Sequence, residues 1–335
     1  MDLRHFDAWT HRSQMPAPSV SIDRLRTMPA GELVDQVHAV TAWVAATYVE
    51  LPTARYGSDF LTRTVQFNEA GLPGAKTIPA ISGPNGAGKS TLCHQWAANY
   101  YREQVAPFRR DGGVHRWEPT PGLTADVAPV VWVNLQANAQ VAEVDVQILQ
   151  FLGLGLSGVV RELSTRAVKA MIRHRVRVLL IDDVHLLNLT RNGGRDVLDH
   201  LKHLNTELGE HGGSLVLVGA NLHTTSLVTD TQIAARLRVY QLKPINLDSR
   251  EERERWSAVV RAAEPGLTPV LPAARTGFLD QHAQLLHDLS GGDPGHLITV
   301  LKEAAINAII TRYGTITDEI LEASTVHDWR TGIRA

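Results

Sequence analysis

Five apolar runs of strand length recur along the middle of the chain: residues 77–82 (TIPAIS), 128–136 (APVVWVNLQ), 176–182 (VRVLLID), 214–220 (SLVLVGA) and 238–245 (RVYQLKPI). Helical stretches lie between them, such as 144–153 (VDVQILQFLG) and 195–211 (RDVLDHLKHLNTELGEH). Alternation of this kind predicts crossover connections and a mostly parallel sheet covered on both faces. Upstream, the start is polar and interrupted by Pro16 and Pro18. Leu33, Val37, Val40 and Val44 then recur at helical spacing, and a second helix is expected near 58–71, stopped by Gly71 and Pro73. Downstream of Asp248 no strand pattern appears. An Asp248/Ser249 cap with an acidic first turn opens a helix there, and 282–292, 296–314 and 317–324 complete a small helical domain. Three regions follow: a helical N-terminal region at 1–75, an α/β domain at 76–247 and a helical domain at 248–335. The Gly- and Pro-rich segment 109–129 reads as a surface excursion before the second strand.

Composition narrows this picture without redirecting it. At 335 residues, 44% hydrophobic and 20% charged, the chain is long enough for two domains with real cores. A formal net charge of −2 excludes a polycation, so nucleic-acid binding would have to come from a local patch or an assembled oligomer. The one cysteine, Cys93, makes no intrachain disulfide; it is assigned to helix packing and points to a reducing compartment. No apolar run approaches the ~18 residues of a membrane span, and the N-terminus lacks a signal-peptide core. A cytoplasmic protein without a membrane partner is expected.

The chemistry concentrates in 81–91, ISGPNGAGKST. Gly83, Gly88, Lys89 and Ser90 fit the pattern G-x-x-x-x-G-K-[ST], in which the backbone curls so that successive N–H groups point at phosphate oxygens. A strand before and a helix behind supply the context the pattern needs. Gly83, Pro84, Asn85, Gly86, Ala87, Gly88, Lys89, Ser90 and Thr91 are therefore the expected nucleoside-triphosphate loop. Lys89 would reach the β- and γ-phosphates and Ser90 would ligate Mg²⁺. The run VRVLLIDD delivers Asp182 and Asp183 at the carboxyl end of a buried strand, the edge where such sheets bind ligands. Asp182 is the second expected Mg²⁺ partner, and Asp183 would orient or deprotonate the attacking water. Because Asp is one methylene shorter than Glu, slow basal hydrolysis is expected.

Three further positions belong to this reading. Asn221, just past the run 214–220, can contact the γ-phosphate or the lytic water. Arg236, at the end of a short helix before the last strand, is a candidate finger reaching a neighbouring subunit's nucleotide, with Arg238 as competitor. His296, near the start of a late helix, reads as a cap residue.

Taken together, these segments resemble the TniB/TnsC family of transposition ATPases within the AAA+ class, over roughly residues 75–325. The resemblance is carried by VVWVNLQANAQVAEVDVQILQFLGLG, LLIDDVHLL with the long helix after it, TDTQIAARLRV and SGGDPGHLITVLKEAAINAI. It implies a P-loop AAA+ α/β core with a parallel sheet flanked by helices, a C-terminal helical lid and ATP with Mg²⁺ as ligands. It also implies ATP-dependent homo-oligomers, rings or helical filaments, on double-stranded DNA that recruit a transposase and a target-selection protein. In that frame Asn221 takes the sensor position and Arg236 the finger. The chain departs from the pattern in its Asp-Asp pair, where Asp-Glu is usual, and in a lid helix that starts without an arginine.

DNA contact has two candidate sources in the residues themselves. Arg166, Lys169 and Arg173 recur at helical spacing, with Arg175 and Arg177 just beyond; the helix bearing Lys202 and His203 is the other. An alternative function is a nucleotide-controlled oligomeric signalling or defence switch with no DNA requirement. A loader of helicases or initiators would need a winged-helix domain, for which no room remains after the lid. The N-terminal region, whose segment TAWVAATYV looks apolar on one face, is expected to dock a partner protein.

Overall fold

All five apolar runs become strands of one parallel sheet in the computed structural model, which describes residues 1–136, 140–155, 160–186, 194–225 and 227–324. Residues 137–139 and Leu187, which belong to the segments carrying the family resemblance, lie outside the described residues. In chain order the elements are α1 (Leu3–Thr10), α2 (Ile22–Thr27), α3 (Ala30–Ala46), α4 (Pro52–Ala70), β1 (Ile78–Gly83) and α5 (Lys89–Val105). Next come β2 (Arg109–Asp111), β3 (Val114–Thr120), β4 (Leu123–Asp126), β5 (Val130–Asn134), α6 (Val141–Phe151) and α7 (Val160–Arg173). Then follow β6 (Val178–Asp182), α8 (Gly194–Glu210), β7 (Ser214–Ala220), α9 (Thr231–Arg236) and β8 (Leu237–Gln241). The last four are α10 (Arg250–Ala263), α11 (Ala283–Ser290), α12 (Pro294–Ile310) and α13 (Asp318–Ala323).

Two compact units share the chain: 1–12, 57–85 and 89–242 form one, and 13–56, 86–88 and 243–335 the other. The first 75 residues thus divide between the two.

The first unit is built on the sheet β5-β6-β7-β1-β8, every pairing parallel. Its central strands β1, β6 and β7 are buried almost throughout, as expected of strands covered on both faces. The register pairs Gly83 with Ala220 and Asn134 with Asp182, which brings the carboxyl ends of β1, β7, β5 and β6 to one edge of the sheet. Residues 109–129 are more than a loop. They form a three-stranded antiparallel sheet, β2-β3-β4, turned first at Gly112-Gly113, both with positive φ, and then at Pro121-Gly122. Asp-Gly-Gly between strand-forming residues is a hairpin signal, and its mostly exposed strands lack the apolar run that marks the main sheet.

Helix α1 also belongs to this unit. Leu3, Phe6, Asp7 and Thr10 are its buried positions, one face of a helix. Asp7, wholly buried, accepts from the Tyr101 hydroxyl at 2.8 Å, pairs with Arg110, and meets His115 Nδ1 at 3.1 Å. A carboxylate without access to water is tolerable only when its oxygens are this well partnered.

The second unit is helical. Leu25, Val40, Trp43 and Val44 pack with Trp256, Val260, Leu297 and Leu301 in a single core. The apolar face of α3 is therefore consumed inside its own unit, with Trp43 donating its indole N–H to the Met15 carbonyl at 3.1 Å. That face is not free to dock a partner. Ser249 caps α10 by accepting from the Glu252 N–H at 3.1 Å, ahead of Glu251 and Glu252.

Candidate functional site

At the end of β1 the chain enters the glycine-rich loop. Gly86 (φ 86°) and Gly88 (φ 81°) adopt a left-handed backbone that turns consecutive N–H groups to one side, as an anion cradle requires. Gly83 is needed for a different reason: a Cβ there would stand 2.7 Å from the Leu242 carbonyl oxygen. Lys89 starts α5 and is 7% exposed, its Nζ donating to the Pro84 carbonyl at 2.7 Å. The ammonium is thus held over the loop that precedes it. Within the second unit, His296 Nε2 lies 2.3 Å from where a Cβ on Gly86 would sit. His296 is not the cap of α12. That role falls to Asp293, whose carboxylate accepts from the N–H groups of Gly295 at 2.8 Å and His296 at 3.2 Å.

Asp182 ends β6 and is 4% exposed. Burial pushes its carboxyl above the usual carboxylate range, while hydrogen bonds from the Ser90 side chain and the Asp183 N–H, the latter at 2.8 Å, act in the opposite direction. A buried carboxylate joined to the P-loop serine is a donor set suited to a divalent cation, which takes hard oxygen ligands. Ser90 and Asp182 are thus brought together as expected.

Asp183 follows at φ 56° and Asn221, just past β7, at φ 46°. Among side chains, Asp and Asn tolerate this left-handed conformation best. The backbone therefore gives a physical reason for Asp rather than Glu at 183. Asn221 leads a short 3₁₀ turn whose Leu222 N–H donates to the Ser82 hydroxyl at 3.0 Å, tying the end of β7 to the strand that feeds the loop. Arg236 closes α9, is half-buried, and donates to the Gln232 carbonyl at 2.9 Å within its own helix. Arg238 donates to the Leu237 carbonyl at 3.0 Å. Neither arginine is drawn toward Lys89 or Asp182 by a hydrogen bond or ion pair among the described residues. Cys93, buried in α5, has its thiol pushed well up by burial and serves packing.

One participant escaped the sequence reading. His185 Nδ1 accepts the Ala220 N–H at 3.2 Å and lies 4.0 Å from Asp183 Oδ1. Its signal was its place two residues after the carboxylate pair.

A parallel sheet with the P-loop strand between β7 and β8, and paired acids at the end of β6, defines the AAA+ ATPase fold. The structure is similar to Cdc6p from Pyrobaculum aerophilum (18% identity, TM-score 0.57, covering 83% of this chain and 68% of that one). It is also similar to ORC2 of Aeropyrum pernix in ADPNP–ADP complexes (13%, 0.55, 100% and 75%). Drosophila ORC bound to DNA is a further match (14%, 0.53, 97% and 70%). At such identities the likeness is one of fold. The chain belongs to the TniB family: the model described as bacterial TniB protein matches residues 73–247, more than half its length. No curated protein matches the sequence. Among the described residues no helix is long and apolar enough to cross a membrane.

Proposed function

We propose that this protein binds and hydrolyses ATP with Mg²⁺ and uses the nucleotide to control its assembly on double-stranded DNA as a regulator of transposition. The observation that carries the ATPase reading is the junction of Ser90 with the buried carboxylate of Asp182, beside a lysine held over a left-handed glycine loop. Residues 83–91 would hold the triphosphate, Ser90 and Asp182 the metal, and the metal would supply charge neutralisation on the phosphates. Asp183 orients or deprotonates the attacking water, and Asn221 contacts the γ-phosphate or that water. Arg236, half-buried at the end of α9, reaches the nucleotide of a neighbouring subunit, so oligomerisation completes the site. Membership of the TniB family supports the transposition reading, with a transposase and a target-selection protein as partners in the cytoplasm.

The test is binding to fluorescent duplex DNA without nucleotide, with ADP and with ATP, at two salt concentrations, with Lys89→Ala as control. Cooperative binding that needs ATP and weakens with salt is expected. Binding under no condition would remove DNA from the mechanism and leave a nucleotide-controlled switch in its place.

A further inference from the structure

Four cations line one open cavity of ≈ 660 Å³ in the first unit: Arg116 from β3, and Arg166, Lys169 and Arg173 from α7. The three α7 residues lie at i, i+3 and i+7, so they form one stripe about 10 Å long at ~1.5 Å per residue. Arg175 and Arg177 leave it. Arg175 stacks on Phe108 and Trp117, with its guanidinium 5.2 and 4.7 Å from the ring centroids, and Arg177 donates to the His211 carbonyl. Of the two candidate DNA surfaces, the one on α8 is already neutralised: Lys202 pairs with Asp199 at 2.7 Å and with Asp230 at 2.9 Å.

Within the cavity the cations differ in commitment. Arg116 is held by Asp111 at 2.9 Å and Asp126 at 3.2 Å, and Arg166 donates to the Gly155 carbonyl at 2.7 Å. Lys169 and Arg173 are exposed, and among the described residues neither has an ion pair. The floor beneath them is apolar, with Leu149, Ala125 and Ala170 buried. Among the described residues Asp126 is the only acid on the lining, and Arg116 neutralises it.

We infer that this cleft grips the sugar–phosphate backbone of duplex DNA, with Lys169 and Arg173 as the principal phosphate contacts. The inference rests on the DNA reading above and says where that contact is made. A cationic rim meets phosphates, and an apolar floor meets the C–H faces of deoxyribose. Each strand presents one phosphate per ~3.4 Å of helix axis, so a stripe ~10 Å long has more than one phosphate of a strand within reach. The contact reads no bases, so it positions the protein without selecting sequence.

The experiment measures ATP-dependent duplex binding by anisotropy from 50 to 200 mM salt for the full chain and for Lys169→Ala, Arg173→Ala, the double variant and Lys202→Ala. Fluorescent-ATP binding is followed in each to show that the fold and the nucleotide loop are intact. Each single cleft variant should flatten the log–log salt slope by about 0.9, and the double variant should lose roughly 50-fold in affinity at 0.1 M salt. Lys202→Ala should match wild type. Wild-type-like DNA binding by the double variant, with wild type binding normally, would overturn the cleft and leave the broader function standing. No DNA binding by wild type would overturn both. Displacement of an acidic polyglutamate peptide from the cleft, with DNA binding unchanged in the double variant, would assign the cleft to a protein partner instead.

Discussion

The backbone N–H of Ala220 donates to Nδ1 of His185 at 3.2 Å, joining the end of β7 to the turn that follows Asp183. A nitrogen that accepts an N–H carries no proton, so the ring's proton sits on Nε2. His185 therefore couples the position of Asn221, one residue beyond Ala220, to that of Asp183. His185→Ala should slow ATP hydrolysis roughly tenfold, the worth of one hydrogen bond, and leave ATP affinity within about twofold. Steady-state phosphate release beside a fluorescent-ATP titration separates the two. Unchanged turnover would show that Asp183 needs no such brace.

Asp182→Asn should uncouple stability from activity. Burial raises the carboxyl's affinity for its proton in the folded state, so the folded protein tolerates the ionised form less well than the unfolded chain does. The contribution of this group to stability accordingly falls as pH rises from the ordinary Asp range through the elevated folded value. The neutral amide escapes that cost. Without nucleotide or metal the variant should be more stable than wild type by roughly 1 kcal/mol, yet lack Mg²⁺-dependent hydrolysis. Thermal melts at pH 7.5 test the first half, and phosphate release tests the second.

Acid should weaken the first unit through His174. The ring is buried, Nδ1 donates to the Asp126 carbonyl at 2.9 Å, and burial holds its pKa below the usual histidine value. A histidine that protonates more readily when unfolded contributes stability above about pH 6.5 and loses it as pH falls toward the folded value. Melting temperature should drop between pH 7.5 and 5.5. His174→Asn, which keeps an N–H donor but does not titrate, should show a shallower drop. Parallel curves for the two proteins would place the acid sensitivity elsewhere.

Gly209→Ala should destabilise although it improves helix propensity. A Cβ at this position of α8 would sit 2.0 Å from the Gly74 carbonyl oxygen, so backbone would have to move. Overpacking of that kind costs about 1–3 kcal/mol, against a propensity gain of about 1 kcal/mol. Urea denaturation should show a net loss. A gain would mean that the 71–76 loop yields without cost.

Much of this architecture is legible in the chain because buried parallel strands leave continuous apolar runs. Residues 214–220 are β7 to the residue, β5 and β6 fall inside their expected segments, and β1 runs one residue past its own, through Gly83. The phosphate loop was equally plain, since Gly83, Gly88, Lys89 and Ser90 carry a pattern that only one local geometry uses. Local rules gave out where the cause lay far away. The exposed strands β2, β3 and β4 have no apolar run to announce them. Helix α1 is eight residues long, and its buried Asp7 is explained only by Tyr101, Arg110 and His115 about a hundred positions on. His296 looked like a cap because it stands near a helix start, whereas Asp293, three residues earlier, has the side chain that reaches back to the free N–H groups.

The second unit draws its core from both ends of the polypeptide. Val40, Trp43 and Val44 of α3 pack against Trp256, Leu297 and Leu301. During synthesis α3 leaves the ribosome with its apolar face bare and meets its partners only after the whole sheet has been made. At ~5–20 residues per second, the roughly 210–260 residues between them impose a wait on the order of 10–50 seconds. Over that interval the nascent chain is a client for chaperones that hold exposed apolar helices, and expression at low temperature or with such chaperones co-produced should raise the soluble yield.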